Sequence, residues 1–271
     1  MRLPGVKPLS EALRMETVKI SVSEFAEFKR RRQRFAALTA YDFPTTRRLD
    51  RLKIPLILVG DSLGMVALGY EDTTFVTMAD IEHHLRACAR AKPNALLAAD
   101  LPFGSYGTET AAAENAQRLV AAGAEAVKAE GGLAILPQIR AIVAAGVPFI
   151  GHLGMLPQSV REEGGYRVKG KSDDERQALL DDAARLVNAG AFAVVLELIK
   201  PPVAREITEA IAIPTIGIGS GPDCDAQILV TNDLLRTSPD YIPRHVPETS
   251  IDVGTAADTV IAEWKQSIEN V

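Results

Sequence analysis

The sequence predicts a (β/α)8 barrel, and three observations carry the prediction. Short apolar runs bounded by turns alternate with stretches of helical period, giving seven clear strands and a weaker eighth. Alternation of this kind builds parallel β/α units. Eight such units in about 250 residues favour a closed barrel over an open doubly wound sheet. Finally, four of the apolar runs end in an acid: Asp61, Asp100, Glu130 and Glu197. Barrels present catalytic groups at the C-terminal ends of their strands, where these acids stand.

The elements follow in order. Residues 1–20 have weak periodicity and read as a partly ordered arm. Residues 22–34 form an amphipathic helix, with Ser21 or Ser23 as its N-cap. Residues 35–42 are the first strand, and a helix over 45–52 leads to the second, Pro55-Leu-Ile-Leu-Val59, which breaks at Gly60-Asp61-Ser62. A near-continuous apolar run of this length reads as a strand buried on both faces. After a long Gly- and Thr-rich connection, a helix over 78–92 precedes strand three, which ends at Asp100. The helix over 109–122 closes on Gly123 as a C-cap. Strand four carries Lys128 and Glu130 and is followed by a helix over 135–145. Strand five spans 148–154, and a second long loop precedes a helix opened by the capping-box pattern Ser172-Asp-Asp-Glu175. Strand six covers 193–199, a helix follows over 202–212, and strand seven covers 213–221. Residues 222–247 carry the weakest signal; Tyr241-Ile-Pro-Arg-His-Val246 is the candidate eighth strand. A last helix covers 256–269. No internal repeat or linker divides the chain, so a single barrel domain over 1–271 is expected.

Composition narrows the function. Of 271 residues, 47% are hydrophobic and 24% charged, which suits a globular enzyme. A net charge of -5 leaves no basic footprint for nucleic acid or anionic membrane. The one basic run, Arg30-Arg31-Arg32, continues a helical pattern and reads as a solvated face. No apolar run reaches the ~18 residues of a membrane span. The N-terminus lacks a continuous apolar stretch and a small-residue cleavage site, so no secretory signal is read. Cys88 and Cys224, the two cysteines, share no metal-ligand spacing and suggest no disulfide framework. A reducing cytoplasm is expected.

The chemistry concentrates at the strand ends. Lys128 and Glu130 are two apart and share a face with Ala126. At the barrel mouth they would meet a metal, a charged ligand or each other; facing outward they would form salt bridges to packing helices. Asp61, Asp100 and Glu130 offer hard oxygen ligands from three neighbouring strands, with no His or Cys set beside them. Oxygen ligation points to magnesium or manganese rather than zinc. The competing reading makes each acid an N-cap of the helix that follows. His152 ends strand five, either as a hydrogen-bonded structural residue or as an accessory to the site. His83 and His84 are adjacent on a helix, share no face, and read as surface or packing residues. Ser62 suits a ligand hydrogen bond, since no nucleophile elbow surrounds it. Gly217-Ile-Gly-Ser-Gly221 is either a phosphate loop or a tight turn. Asp223-Cys-Asp225 is a poor metal motif.

Several motifs stand together in one order: Thr39-Ala-Tyr-Asp42, Val59-Gly-Asp-Ser-Leu-Gly64, Ala99-Asp-Leu-Pro-Phe103, Lys128-Ala-Glu-Gly-Gly132, Gly151-His-Leu-Gly154 with Pro157-Gln-Ser159, Gly164-Gly-Tyr-Arg-Val-Lys-Gly170 and Gly217-Ile-Gly219. Over residues 22–232 the chain closely resembles the ketopantoate hydroxymethyltransferase family. The resemblance implies a (β/α)8 barrel enzyme of pantothenate synthesis, typically decameric. It would transfer a one-carbon unit from 5,10-methylenetetrahydrofolate to 3-methyl-2-oxobutanoate, giving 2-dehydropantoate. It implies Mg2+ held by Asp61, Asp100 and Glu130, oxo-acid contacts from Asp61, Ser62, Asp100 and Lys128, and Glu197 as the catalytic base. In that chemistry the metal chelates the 2-oxo acid and stabilises the enolate, Glu197 takes the C3 proton, and the enolate attacks the folate methylene. Ala226 and Arg236 stand where the family usually has Gly, and Gly104 where Met is common, so the eighth-strand region is expected to diverge. Two alternatives share the barrel: a magnesium-dependent carbon–carbon lyase or mutase on another 2-oxo acid, and a non-catalytic oxo-acid-binding barrel.

Overall fold

The computed structural model describes residues 18–238 and 242–269. Eight parallel strands close into a barrel in sequence order: β1 (Phe35–Thr39), β2 (Leu56–Val59), β3 (Leu96–Asp100), β4 (Ala126–Lys128), β5 (Phe149–Gly154), β6 (Ala193–Glu197), β7 (Thr215–Ile218) and β8 (Ala226–Leu229). The long helices between them are α2 (Phe43–Arg51), α4 (Met78–Ala89), α5 (Glu109–Ala122), α6 (Leu136–Ala144), α8 (Asp173–Asn188) and α9 (Pro201–Ala210). Short helices α3 (Leu63–Val66), α7 (Val160–Glu163) and α10 (Thr231–Leu234) ride on the loops after β2, β5 and β8. α1 (Val22–Arg30) precedes the barrel and α11 (Val253–Glu269) follows it.

The eighth strand is Ala226–Leu229, not the expected 241–246. It pairs with β1 from Phe35↔Ala226 to Leu38↔Leu229 and with β7 at Ile216↔Ala226. Tyr241 lies outside the described residues, as do 1–17 of the expected arm, and 242–246 form irregular backbone and a turn. Ala226-Gln-Ile-Leu229 is too short and too mixed in character to announce itself. Its partners on both sides fix it as a strand, because closure leaves one ladder unpaired without it. Other limits move by a few residues: α1 stops at Arg30, and the last helix begins at Val253.

Two apolar layers hold the barrel. Outward-facing Ile57, Val59, Leu97, Val127, Val194 and Leu196 pack under the helices. Inward-facing Leu56, Leu58, Leu96, Ala98, Ala126, Ile150, Ala193, Val195 and Ile216 fill the interior. Along the inner face of each central strand the character then changes. Two residues beyond Ala98 comes Asp100, beyond Ala126 come Lys128 and Glu130, beyond Ile150 comes His152, and beyond Val195 comes Glu197. The period of two keeps these groups on the inner face, so the barrel is greasy at its base and ionisable at its C-terminal mouth.

α1 plugs the base. Phe25 is fully buried and meets Phe28, Phe35 and Phe192 edge-on, with ring centroids 5.7, 5.3 and 5.5 Å away. Lys29 fastens the plug by donating to Thr208 O (2.6 Å) and Asp225 Oδ2 (2.7 Å). Asp225 is therefore structural, and Asp223 pairs with Arg205 (2.6 Å), in keeping with the poor metal motif read there. Phe25→Ala is expected to cost about 3–5 kcal/mol, the usual range for truncating a buried Phe, read as a lower urea midpoint.

Candidate active site

One cavity of about 1050 Å³ opens at the C-terminal mouth, and Asp61, Ser62, Asp100, Lys128, Glu130, His152 and Glu197 all line it. All seven candidate residues from the sequence thus meet in one place. None of the four acids caps a following helix. Ser62 occupies the cap position of α3, Thr108 that of α5, Ile135 that of α6 and Lys200 that of α9. Asp42 is the acid that does cap, accepting from Thr45 N at 2.7 Å.

Lys128 and Glu130 face inward. Lys128 is 4% exposed, with its Nζ 3.2 Å from Asp100 Oδ1 and 3.2 Å from His152 Nδ1. Burial works against its ammonium, but Asp100, Glu130 and Asp61 outweigh that and hold its pKa above the ordinary lysine value. An ammonium only donates, so His152 Nδ1 accepts and the ring proton sits on Nε2. That nitrogen faces Glu197 Oε2 at 3.3 Å. Burial, with Lys128 next in weight, drives His152 well below its usual pKa, so it is a neutral imidazole here. Its close approaches to Glu130 (3.6 Å) and Glu197 are therefore not ion pairs.

The acids are pushed the other way. Burial raises Glu197, Lys128 and His245 pull it back, and the balance lies at about 7. Asp100 also lies at about 7, through burial, opposed by Lys128 and reinforced by Asp61. Glu130 is held well above the usual carboxyl value by burial and then by the Asp61 charge. Burial discourages each from ionising, and for Asp100 and Glu130 the Asp61 charge adds to it.

Sequence reasoning passed over the residue that organises this cluster. Gln158, 4% exposed, donates from Nε2 to Asp61 Oδ2 (2.7 Å) and from its backbone N to Glu130 Oε2 (2.9 Å). Its Oε1 accepts from Tyr106 Oη at 2.5 Å. Asp61 N in turn donates to Asp100 Oδ2 (3.1 Å). Tyr41 Oη and Ser62 Oγ are hydrogen-bonded at 2.8 Å. Gln158 and Tyr41 both stand inside motifs the sequence displayed, Pro157-Gln-Ser159 and Thr39-Ala-Tyr-Asp42, but neutral side chains gave no chemical signal.

The donor set suits a hard divalent cation. Glu130 Oε1 is a buried oxygen with no hydrogen bond, and Asp100 Oδ1 has only the Lys128 ammonium beside it at 3.2 Å; both belong to carboxylates that a cation would favour as anions. Among the described residues, however, no three ligating side chains close on one point. Asp61, Asp100 and Glu130 share a cavity, but each has one oxygen held by a neighbour, Gln158 Nε2, Asp61 N and Gln158 N respectively. Asp61, Asp100 and Glu130 line one cavity, but among the described residues the expected three-ligand group is not formed.

The glycine-rich turn after β7 is a buttress. Ser220 Oγ donates to Leu196 O (2.7 Å) and accepts from Ile199 N (2.9 Å), bracing the end of β6 beside Glu197. His84 packs, with Nδ1 donating to Tyr41 O at 2.7 Å. Both cysteines are buried free thiols.

Comparison with known proteins follows from this geometry. Among solved structures, the fold is shared with phosphoenolpyruvate phosphomutase from Streptomyces platensis subsp. rosaceus (TM-score 0.63, 14% identity, 92% of this chain and 88% of that one). A phosphonopyruvate hydrolase is similar too (TM-score 0.60, 13% identity, 94% and 99%). At those identities the likeness concerns the fold alone. Closer in sequence is the 3-methyl-2-oxobutanoate hydroxymethyltransferase of Caldivirga maquilingensis, 47% identical over 257 residues (93% of this chain, 96% of the relative). That of Moorella thermoacetica is 50% identical over 232 residues (85% and 86%). The sequence profile described as Ketopantoate hydroxymethyltransferase matches residues 19–271, and with these relatives it shows that the chain belongs to the ketopantoate hydroxymethyltransferase family.

Proposed function

We propose that the protein transfers a hydroxymethyl group to 3-methyl-2-oxobutanoate, using 5,10-methylenetetrahydrofolate as the donor, to give 2-dehydropantoate for pantothenate synthesis. The observation that carries the reading is the inward ring of Asp61, Asp100, Lys128, Glu130 and Glu197 at one barrel mouth, in a chain of this family. Asp61, Asp100 and Glu130 would hold Mg2+, which when bound would polarise the ketone oxygen and lower the cost of an enolate.

The chain's own groups divide the remaining work. Glu197 takes the C3 proton; a carboxylate whose pKa is about 7 is a far stronger base than an ordinary one, yet is still half ionised at neutral pH. His152, a neutral imidazole with Nε2 3.3 Å from Glu197 Oε2, stands beside the base without adding a positive charge. Lys128, firmly protonated, offsets the anionic substrate. Ser62 Oγ, oriented by Tyr41, and Asp100 complete the oxo-acid contacts. C3 then bonds to the one-carbon unit and both carbon–nitrogen bonds of that unit break. Water supplies the new hydroxyl, and tetrahydrofolate leaves with the C3 proton and the remaining water proton on its two nitrogens.

The surroundings complete the proposal. No described helix is long and apolar enough to cross a membrane, and a cytoplasmic place fits the two buried free thiols. The partners are the 2-oxo acid, the folate and further copies of the chain, with neither nucleic acid nor membrane. α11 presents Val260, Ile261, Trp264 and Ile268 to solvent, each more than 60% exposed. An amphipathic helix with its apolar face uncovered is what a subunit contact requires, and a homo-oligomer, up to a decamer, would cover it.

Incubation with MgCl2, 3-methyl-2-oxobutanoate and 5,10-methylenetetrahydrofolate is expected to yield 2-dehydropantoate; folded protein that makes none refutes the activity. Exchange of the C3 hydrogen in D2O, followed by NMR, should rise as pH increases through about 7 and then level, because a base with a raised pKa must lose its proton to act. Glu197→Gln should slow that exchange by about 10²–10⁴; an undiminished rate would move the base elsewhere. Saturating MgCl2 is expected to raise the melting temperature, by the equivalent of about 2.7 kcal/mol at a hundredfold excess over Kd. Asp100→Asn should abolish that rise, and a wild-type melt indifferent to Mg2+ counts against the metal site. Light scattering should give a mass several times 29.1 kDa, and charged replacements at Ile261 and Trp264 should reduce it.

A further inference from the structure

The acid cluster uses only one side of the cavity. On the other side, around the ends of β7, β8 and β1, the wall is Ile218, Leu229 and Val230 with a second group of polar residues among them. One of these is Asp233. Six acids line the cavity, Asp61, Glu71, Asp100, Glu130, Glu197 and Asp233. Four form the cluster already described and Glu71 is exposed. Asp233 is 7% exposed, and the mechanism above gives it nothing to do.

Its position is rigid. α10 is fastened to the barrel rim by Thr231, whose N donates to Thr39 Oγ1 (3.1 Å) and whose Oγ1 donates to Thr39 O (2.6 Å). Asp233 Oδ1 accepts from Ser238 Oγ. No cation pairs with it among the described ion pairs, although a buried carboxylate is costly without a partner. Burial raises its pKa, opposed by Ser238 and by His245. His245 itself stands on Gly219, where a Cβ would lie 3.3 Å from its Nδ1, and it feels the charge of both Glu197 and Asp233. Asp233 and Glu197 line the same cavity, beyond the ends of β8 and β6 with β7 between them. The β6 and β8 strand ends are two strand spacings apart, about 10 Å. A flat fused ring with a one-carbon unit at its far edge fills such a gap.

We infer that Asp233 anchors the one-carbon donor, its carboxylate accepting from the adjacent ring N–H and exocyclic amino group of the pterin, with Ile218 and Leu229 against the ring faces. This rests on the folate reading above and adds the subsite that reading lacks. A carboxylate meets a planar pair of N–H donors with two parallel hydrogen bonds, the geometry by which carboxylates bind guanidinium groups. Anchored there, the ring points its one-carbon edge across the cavity toward Glu197 and the C3 carbon.

The test uses the full-length protein with MgCl2 and 3-methyl-2-oxobutanoate, titrated by calorimetry with tetrahydrofolate and with its 2-desamino-2-methyl analogue. Wild type should prefer tetrahydrofolate by about 10–100-fold, the usual worth of a charge-assisted hydrogen bond. Asp233→Asn, which offers one acceptor and one clashing donor, should bind tetrahydrofolate more weakly by a similar factor and lose the preference. Ser238→Ala keeps the carboxylate and should keep the preference, which guards against a misfolded Asp233→Asn protein. A preference undiminished in Asp233→Asn overturns the assignment while leaving the folate reading intact. Wild type that binds neither ligand removes the folate reading and the anchor with it.

Discussion

The site depends on one costly arrangement: four carboxyl groups and one ammonium buried together at the end of a hydrophobic barrel. If all four acids were ionised, the imbalance would be three negative charges, because His152 is neutral and only Lys128 is positive. Buried charge of that size cannot persist unpaired, and Asp100, Glu130 and Glu197 respond by holding protons more tightly. The sign of the linkage follows. Glu197 and Asp100 have raised folded pKa values, so their contribution to stability is present at low pH and is lost as pH rises from ordinary carboxyl values through about 7. At neutral pH the cluster weakens the fold by a few kcal/mol, and the two apolar layers of the barrel carry that cost. A site poised in this way gains from whatever brings positive charge to it.

The same tension explains the wiring. Neutral donors hold the cluster together where a second lysine would have discharged it. Gln158 reaches Asp61 with its side chain and Glu130 with its backbone, so the loop after β5 fixes acids from the loops after β2 and β4. Tyr106 sets the Gln158 amide by donating to Oε1, which leaves Nε2 to point at Asp61. On the other flank, Lys128 commits His152 to a single tautomer, whose Nε2 lies 3.3 Å from Glu197 Oε2 without a hydrogen bond between them. Rigid strand ends supply the anchors. Gly154, at φ +102°, shows how tightly they sit, since a Cβ there would lie 2.1 Å from Glu197 O.

How much of this a reader of the sequence can see depends on whether a feature is local. The apolar runs and their terminal acids are local, and period-two alternation carries Ala126, Lys128 and Glu130 to one face without knowledge of any neighbour. The eighth strand is not local. Ala226-Gln-Ile-Leu229 becomes a strand because β1 and β7 offer it two ladders, while the described residues 242–246 join none. Gln158, Tyr106 and Tyr41 act through hydrogen bonds to residues 21 to 97 positions away, and neutral side chains carry no charge pattern to betray them. His152 was legible as a strand-end residue but not as the centre of the cluster, because its neutrality comes from burial and from Lys128.

The positions where the chain departs from its family sort in the same way. Ala226 is 1% exposed, lies level with Phe35 and Ile216, and belongs to the inner apolar layer below the mouth, so its methyl is core packing and shifts nothing at the acids. Gly104 has φ +75° and open space around it, so glycine is the comfortable residue there. Arg236 adopts φ +56°, a strain of about 1–2 kcal/mol for a residue with a side chain. It sits at the turn that leads into Ser238, Pro243, Arg244 and His245, all of which wall the cavity. Of these three positions, none stands among the acids at the cavity's mouth, and Arg236 lies two residues from Ser238, a group that walls it.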